Sequence, residues 1–320
     1  MIDLRRASRR GRPAVMGILN VTPDSFSDGG CWLSPGDAVE HAFGMEDSGA
    51  DIIDIGAEST RPSASPVTAE EELSRLVPVL KDLVPSLSVP VSVDTMKAEV
   101  AAKALDLGAE MINDVLGLRG EGMLETCAES GAAVVIMHMP GTMDSVHSTV
   151  MGEDYMEEIR SFLRKRTEAA LDAGIRRDRI VLDPGIGFGK TPEQNAVLMR
   201  SATYFSDGYP VLIAPSRKRF LSHAFPGKDR EEATLMAVNQ ASEWGADVVR
   251  VHDVEGAFKS LGRSFFCRIP RISRRGGSWS SSWRRKGRIP AIPRPAARGS
   301  PSSIRESSRR CSRSIRRPGS

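Results

Sequence analysis

Eight short apolar runs, rich in β-branched residues, recur along the chain, and each is followed by a polar cluster and a stretch of helical periodicity. They lie at residues 15–19, 52–55, 89–93, 111–112, 133–137, 180–182, 211–214 and 248–251. This alternation is typical of βα units around a parallel sheet. Eight units predict a closed (β/α)8 TIM barrel, and an open doubly wound sheet is the alternative.

The helical stretches between the runs have recognisable starts and ends. They lie at residues 36–48, 68–83, 97–107, 120–130, 153–173, 191–200 and 230–244. The second opens Thr68-Ala-Glu-Glu, as in a capping box, and several end in Gly-Ala before the next strand, which is typical of a helix C-cap. After the eighth run, a helix is recognisable only at residues 255–261, so we expect at most about two turns there.

The charge distribution separates a body from a tail. From Ser264 onward, 15 Arg and 1 Lys accompany one acid, Glu306, so this segment carries +15 and residues 1–263 carry −12 of the total of +3. The predicted divisions are a basic lead at 1–13, the barrel at 14–262 and a disordered Ser/Arg-rich tail at 263–320. The tail is either a nucleic-acid-binding arm or a solvated extension, including the product of a reading-frame change. We favour the extension, because the sequence switches abruptly from balanced charge to a nearly acid-free composition.

Composition narrows the class of protein further. No segment approaches the roughly 18 apolar residues of a membrane helix, and the basic start lacks a signal-like apolar region. The four cysteines, Cys31, Cys127, Cys267 and Cys311, are far apart in the sequence, which argues against a disulfide framework. We therefore expect a soluble cytoplasmic protein without a membrane partner.

Every apolar run ends in polar or charged residues. These are Asn20, Asp54, Asp94, Asn113, His138, Asp183, the trio Ser216, Arg217 and Lys218, and the pair Arg250 and His252. Helix capping would explain two or three of them, but not all eight positions. In a barrel, these residues meet at the C-terminal ends of the strands, where active sites lie.

Two kinds of chemistry can be separated within this set. Asp94, Asn113 and Asp183 could accept hydrogen bonds from a heterocycle with adjacent N–H donors, and Lys218 could face its carbonyl side. A second set suits oxyanions, since guanidinium groups bind phosphate oxygens bidentately; it comprises Thr60, Arg61, Arg250 and His252. Zinc is not expected, because no third His or Cys has ligand spacing. Asn20 could share Mg²⁺ with the bound anion.

Residues 183–191 read D-P-G-I-G-F-G-K-T and resemble a phosphate-binding loop. The Walker pattern requires glycine at the position that Pro184 occupies. The run is therefore a near miss. A turn from a strand into a helix, either functional or structural, is the favoured interpretation.

An ordered set of motifs points to one family. M-G-I-L-N-V-T-P-D-S-F-S-D-G-G lies at 16–30 and D-I-G-A-E-S-T-R-P at 54–62, followed in order by S-V-D-T, I-N-D-V, M-H-M, D-P-G-I-G-F-G-K, S-R-K and R-V-H-D-V. Over residues 14–254 the chain resembles the dihydropteroate synthases, folate-pathway enzymes targeted by sulfonamide drugs. Each motif alone is weak, and their order makes the resemblance specific.

The resemblance implies a role for each matching position. The implied pterin contacts are Asp94, Asn113, Asp183 and Lys218, with Val115, Met137 and Phe188 at the ring faces. Asn20 would bind Mg²⁺, and Thr60, Arg61, Arg250 and His252 would contact the pyrophosphate. Ser216 and Arg217, with the loop at 23–29, would border the p-aminobenzoate pocket. Arg61, Lys218, Arg250 and His252 are the expected catalytic residues.

The implied reaction joins 6-hydroxymethyl-7,8-dihydropterin diphosphate to p-aminobenzoate, releasing pyrophosphate and 7,8-dihydropteroate, in a homodimer as is typical of the family. A second hypothesis is a pterin-binding barrel without synthase activity, either a degenerate paralogue or a methyltransferase-like folate-binding domain. Arg61 and the Ser-Arg-Lys trio argue against it, because a methyl carrier has no pyrophosphate to hold. A third hypothesis, a basic-tailed nucleic-acid binder, conflicts with the acidic body.

Overall fold

A computed structural model of the chain describes residues 11–22, 35–59, 66–143, 145–146 and 149–264. The predictions for Thr60, Arg61, the loop at 23–29 and the tail from 265 onward lie outside these residues. The chain divides into two units, residues 1–272 and 273–320, and every described residue belongs to the first. The predicted boundaries at 13/14 and 262/263 stay predictions.

Within the described residues, eight parallel strands form one sheet in the order β6-β5-β4-β3-β2-β1-β8-β7. They are β1 Ala14–Asn20, β2 Ile52–Gly56, β3 Val91–Asp94, β4 Met111–Asp114, β5 Ala133–Met137, β6 Ile180–Asp183, β7 Leu212–Ile213 and β8 Val248–Val251. Strands that are consecutive in the chain lie side by side. This order excludes the doubly wound sheet, whose strand order reverses at a switch point.

The sheet closes on itself between β6 and β7. Leu182 and Val211 form a single parallel bridge there, and the N–H of Leu182 donates to the carbonyl of Pro210 at 2.9 Å. Elsewhere in the barrel the pairing is more extensive, and β1 pairs with β2 from Met16 to Asn20. The prediction of a (β/α)8 barrel is therefore confirmed, with β6 and β7 as its most weakly paired neighbours.

Ten α-helices are present in the described part of the chain. They are α1 Pro35–Asp47, α2 Ala69–Leu83, α3 Ala98–Asp106, α4 Met123–Ser130, α5 Tyr155–Asp172, α6 Pro192–Leu198, α7 Ala202–Phe205, α8 Phe220–Ala224, α9 Arg230–Glu243 and α10 Val254–Ser264, with a 3₁₀-helix at Arg177–Arg179. The short α7 and α8 were not predicted, because one turn is too short to show a period. No helix among the described residues is long and apolar enough to cross a membrane.

Side-chain caps fix where several helices begin. Thr68 accepts from the N–H of Glu71 at 3.1 Å, at the predicted start of α2. Thr191 and Gln194 form a reciprocal capping box at the start of α6. Because α6 follows the glycine-rich run directly, this box fixes the point at which that run ends.

The barrel interior is a layer of apolar side chains from all the strands except β3. Its members are Ala14, Met16, Ile52, Met111, Ala133, Val135, Val181, Leu212, Ala214 and Val248. A larger cluster joins the outer faces of the strands to the surrounding helices. Because side chains alternate along a strand, residues two positions beyond the interior layer also point inward, at the C-terminal mouth of the barrel.

The last helix is longer than the two turns expected from the sequence. α10 has 11 residues, which is about three turns. Val254, Ala257 and Leu261 are buried at a spacing of three and four residues, so one face of α10 packs against the barrel. Phe258 packs against Gly49, and the Arg12 guanidinium lies 4.7 Å from the centre of its ring.

Candidate active site at the barrel mouth

Four polar side chains lie directly above the apolar interior layer. Each follows a member of that layer by two residues in its strand. The pairs are Ile52 and Asp54, Met111 and Asn113, Val181 and Asp183, and Val248 and Arg250. Asp54 is fully buried, and Asn113 and Asp183 are 5% and 4% exposed. The structure thus brings together polar residues from β2, β4, β6 and β8.

Arg250 connects two carboxylates at the centre of this mouth. Its Nε donates to Oδ2 of Asp54 at 2.6 Å, and its Nη2 donates to Oδ2 of Asp94 at 2.7 Å. Oδ2 of Asp54 also accepts from Nδ2 of Asn113 at 3.0 Å. Asp54 therefore links Arg250, a predicted pyrophosphate contact, to Asn113, a predicted pterin contact. Because Nδ2 of Asn113 faces Asp54, its Oδ1 points away and can accept a hydrogen bond.

The protonation of this cluster depends on burial. Burial raises the pKa of Asp94 to about 7, Arg250 opposes the rise and Asp54 adds to it. Burial also acts to lower the pKa of Arg250, but Asp54 and Asp94 outweigh it and raise that pKa. The guanidinium therefore stays charged, and the Asp94 carboxyl changes its charge near neutral pH.

Asp183 and Lys218 form the other side of the mouth. Oδ1 of Asp183 accepts from the N–H of Gly185 at 2.7 Å. Nζ of Lys218 donates to the carbonyl of Ile186 and lies 5.1 Å from the centre of the Phe188 ring. Burial raises the pKa of Asp183 and lowers the pKa of Lys218 to about 8, and in each case the partner opposes the shift.

An apolar cluster borders this polar mouth. Val115, Met137, Met139 and Val146 form its buried part, and Phe188 is partly buried against them. Val115 and Met137 follow or end the neighbouring strands β4 and β5. The three residues predicted to line the ring faces therefore pack into one cluster, beside Asn113 of β4 and Asp183 of β6.

Ser216 and His252 meet where β7 and β8 end. The Ser216 hydroxyl and Nδ1 of His252 are 2.9 Å apart, and the N–H of His252 donates to the same hydroxyl at 3.2 Å. Arg217 lies apart from this pair. Its Nε donates to Glu231 of α9 at 2.7 Å, and its backbone has a φ of +58°.

Asn20 ends β1 beside Gly56 and Asp94. A Cβ on Gly56 would lie 3.8 Å from Oδ1 of Asn20 and 3.5 Å from Cβ of Asp94, so glycine leaves space between the two side chains. No cluster of three His, Cys, Asp or Glu residues suited to a metal occurs in the described residues. Mg²⁺ keeps most of its ligands as water and substrate phosphate, so a single amide oxygen fits this ion.

Two features of the site were not predicted. Asp54 was recognised only as a strand-end acid, and its link to Arg250 joins residues 196 positions apart. Beside it, Nζ of Lys97 donates to Glu58 and to the fully buried Glu72 at 2.6 and 2.7 Å. In the sequence, the acids at the start of α2 indicate only a helix N-terminus. The contact of Glu72 with Lys97, just before α3, depends on how the two helices pack.

A cavity of about 300 Å³ lies away from the mouth, along α5 and α7. Arg160 and Arg164 on its wall pair with Asp207 at 2.9 and 3.3 Å. None of the predicted site residues lines it. The polar mouth, where these residues converge, is therefore the candidate active site.

Comparisons with known proteins identify the family to which the chain belongs. Residues 16–252 match the family described as pterin binding enzyme. The dihydropteroate synthase of Bacillus subtilis (strain 168) is 44% identical over 252 residues, 78% of this chain and 86% of that protein. A structure of Xanthomonas albilineans dihydropteroate synthase with 4-aminobenzoic acid is 41% identical, with a TM-score of 0.74 over 81% of this chain and 94% of that one. Another, with 7,8-dihydropteroate, is 39% identical, with a TM-score of 0.71 over 81% and 95%. The chain belongs to the dihydropteroate synthases, transferases within the pterin-binding enzyme family.

Proposed function

We propose that this chain joins 6-hydroxymethyl-7,8-dihydropterin diphosphate to p-aminobenzoate and releases pyrophosphate, as its family membership implies. The observation that carries the assignment is the convergence of Asp94, Asn113, Asp183, Lys218 and Arg250 at one barrel mouth. A homodimeric state and a cytoplasmic location are further proposals from the resemblance.

Pterin recognition rests on hydrogen-bond acceptors that are already in place. Oδ1 of Asn113 and the carboxylate of Asp183 would accept from the amino and N–H groups of the ring, while Lys218 would donate to its carbonyl oxygen. A buried polar group left unpaired costs about 1–3 kcal/mol. A heterocycle without this donor pattern is therefore expected to bind poorly.

The charge of the mouth suits a pterin that becomes cationic. Asp54, Asp94 and Asp183 face the cations Arg250 and Lys218, which leaves one negative charge when all five are ionised. Such fixed charges stabilise a developing positive charge at little reorganisation cost. The C–O bond would break with its electron pair going to the pyrophosphate, before the new C–N bond forms.

The departing anion requires cations near the strand ends. His252 lies beside Ser216 at the end of β8, and we assign His252, Thr60 and Arg61, together with Arg250, to the pyrophosphate. Asn20 would hold Mg²⁺ through Oδ1, and the bound ion would neutralise charge on the pyrophosphate. Nε and Nη2 of Arg250 are engaged by Asp54 and Asp94, so Nη1 is the donor that would reach this anion with both contacts kept.

The second substrate needs no nucleophilic side chain. The arylamine attacks the pterin carbon with its own lone pair and then loses a proton. Ser216 and Arg217 are assigned to the p-aminobenzoate pocket. The hydrogen bond between Ser216 and His252 would place this pocket beside the pyrophosphate site.

The test is pyrophosphate release from the pterin diphosphate, measured with and without p-aminobenzoate. We expect release that depends on p-aminobenzoate, and a loss of at least about tenfold in pterin affinity for Asp183→Asn, or about 1.4 kcal/mol. Asp178→Asn is the matched control, because Asp178 lies in the 3₁₀-helix and pairs with exposed Arg176, away from the mouth. A folded protein that binds pterin without releasing pyrophosphate would favour the pterin-binding barrel without synthase activity.

A further inference from the structure

Lys190 ends the glycine-rich run, and the reaction described above leaves it without a role. Its Nζ donates to the carbonyls of Gly185 and Phe188 at 2.9 and 2.8 Å and lies 3.1 Å from Nδ1 of His138. The two carbonyls belong to the loop that Lys190 itself terminates. The side chain thus folds back beneath its own loop and connects it to the end of β5.

The same loop is held from the other side by Lys218. Nζ of Lys218 donates to the carbonyl of Ile186, which lies between the two carbonyls that Lys190 binds. Three carbonyls of the loop between Asp183 and Lys190 therefore accept hydrogen bonds from two ammonium groups. One ammonium belongs to the proposed pterin site, and the other lies behind it.

This loop lies in close contact with the residues that follow β5. A Cβ on Gly185 would lie 1.8 Å from the carbonyl oxygen of His138, and a Cβ on Gly189 would lie 2.3 Å from Cγ of Pro140. Both glycines also have positive φ, +72° and +62°. The glycines thus allow the backbone to approach β5, and the position of the loop depends on the groups that hold it there.

The imidazole of His138 is an acceptor in this arrangement. Burial, with Lys190 nearby, lowers the pKa of His138 to about 2, so the ring is neutral. Nδ1 then accepts from Lys190, which places the remaining ring proton on Nε2. The ring also packs edge-on against Phe162, with 5.0 Å between the centroids, so its position is fixed on two sides.

We propose that Lys190 is a positioning residue for pterin binding, which acts by fixing the loop that carries Asp183 and Phe188. This inference rests on the proposed function, because it assumes that these two residues contact the pterin. Lys190 itself touches no substrate. Without the ammonium group of Lys190, the carbonyls of Gly185 and Phe188 lose a shared donor. The loop can then change shape, and the Phe188 ring can move relative to the Asp183 carboxylate.

The experiment compares Lys190→Met with Lys103→Met, an exposed lysine of α3, in the full-length protein. For Lys190→Met we expect the KM for the pterin diphosphate to rise about tenfold or more, while the KM for p-aminobenzoate stays within about twofold. The Kd for pteroic acid should rise in parallel. Lys103→Met should leave all three constants unchanged.

Equal changes in both KM values, or a lower Tm with both unchanged, would overturn the proposal in favour of a purely structural role. If Lys190→Met does not fold, the pair His138→Asn and His138→Leu replaces it. Asn keeps an acceptor near the position of Nδ1 and Leu does not, so only His138→Leu should raise the KM for the pterin diphosphate. An inactive wild-type protein would instead count against the proposed function.

Discussion

At the scale of single residues, two groups in the mouth titrate near neutral pH. The pKa of Asp94 is raised to about 7 and that of Lys218 is lowered to about 8, both chiefly by burial. Pterin binding as proposed needs Asp94 ionised and Lys218 protonated. We therefore expect kcat/KM for the pterin diphosphate to rise with pH through about 7 and to fall above about 8. Burial also lowers the pKa of Lys190 to about 7, so the loss of its ammonium group should add to the fall on the alkaline side. A profile that is flat from about pH 6 to about pH 9 would contradict these roles.

Asp54 offers a separate test of the same cluster. Its carboxylate contributes to the raised pKa of Asp94, so Asp54→Asn should move the acidic limb of the kcat/KM profile to lower pH. The substitution should also weaken pterin binding, because Asn113 and Arg250 share Oδ2 of Asp54 as an acceptor. Profiles of wild type and variant, measured in the same buffers, decide the point. An unmoved acidic limb would show that another group controls it.

At the scale of elements, the contact between α10 and the loop before β2 can be measured with a pair of glycines. Gly49 has a φ of +98°, and a Cβ there would lie 2.5 Å from Cδ2 of Phe258; Gly174 has a φ of +102° with nothing within 4 Å. Both alanine variants therefore carry similar backbone strain, about 1–2 kcal/mol. Gly49→Ala should cost a further ~1–3 kcal/mol from overpacking.

Urea unfolding of the two glycine variants gives this difference directly. The same substitution can be made in a protein that already carries Phe258→Ala, where no ring crowds the new methyl group. In that background, Gly49→Ala should lower the free energy of unfolding by about as much as Gly174→Ala lowers it in the wild-type protein. Equal free energies of unfolding for the two single variants would mean that Phe258 moves away without cost.

Elements with enough residues to show a period were predicted from the sequence, and contacts between distant elements were not. The buried spacing of Val254, Ala257 and Leu261 is already legible in the sequence, so the full length of α10 could have been found. The link from Asp54 to Arg250 could not, because it depends on how β2 and β8 approach each other around the barrel. The same holds for Lys190, whose partners lie in its own loop and at His138, directly after β5.

At the scale of the whole molecule, two truncations test whether the described barrel is sufficient. A chain ending at Ser264 keeps all eight strands and α10, so its Tm and its rate of pyrophosphate release should match those of the full-length protein. A chain ending at Asp253 loses the buried side chains of Val254, Ala257 and Leu261. Since each buried Val or Leu contributes about 1.5–3 kcal/mol, this shorter chain should be destabilised by roughly 4 kcal/mol or more.

The comparison of the two truncations separates the role of the tail from that of α10. Thermal unfolding and activity are measured on both chains beside the full-length protein. A large loss of Tm already in the chain ending at Ser264 would give the following residues a structural role. It would also contradict the prediction that they form a solvated extension.

The single bridge between Leu182 and Val211 makes the β6–β7 junction the place where the ring of strands should open first. Asp183 ends β6, and Lys218 follows β7, so a pterin held by both would span this junction and tie its two sides together. Hydrogen exchange can detect this, since ligands protect the segments whose opening they oppose. The amide of Leu182, bonded to Pro210 at 2.9 Å, should exchange more slowly when pteroic acid binds; the amide of Ile53, bonded to Pro90 at 3.1 Å across the better-paired β2 and β3, should change less. A bound pterin would then connect β6 and β7 where few backbone hydrogen bonds do so, and the enzyme would resist unfolding most strongly while substrate fills the mouth.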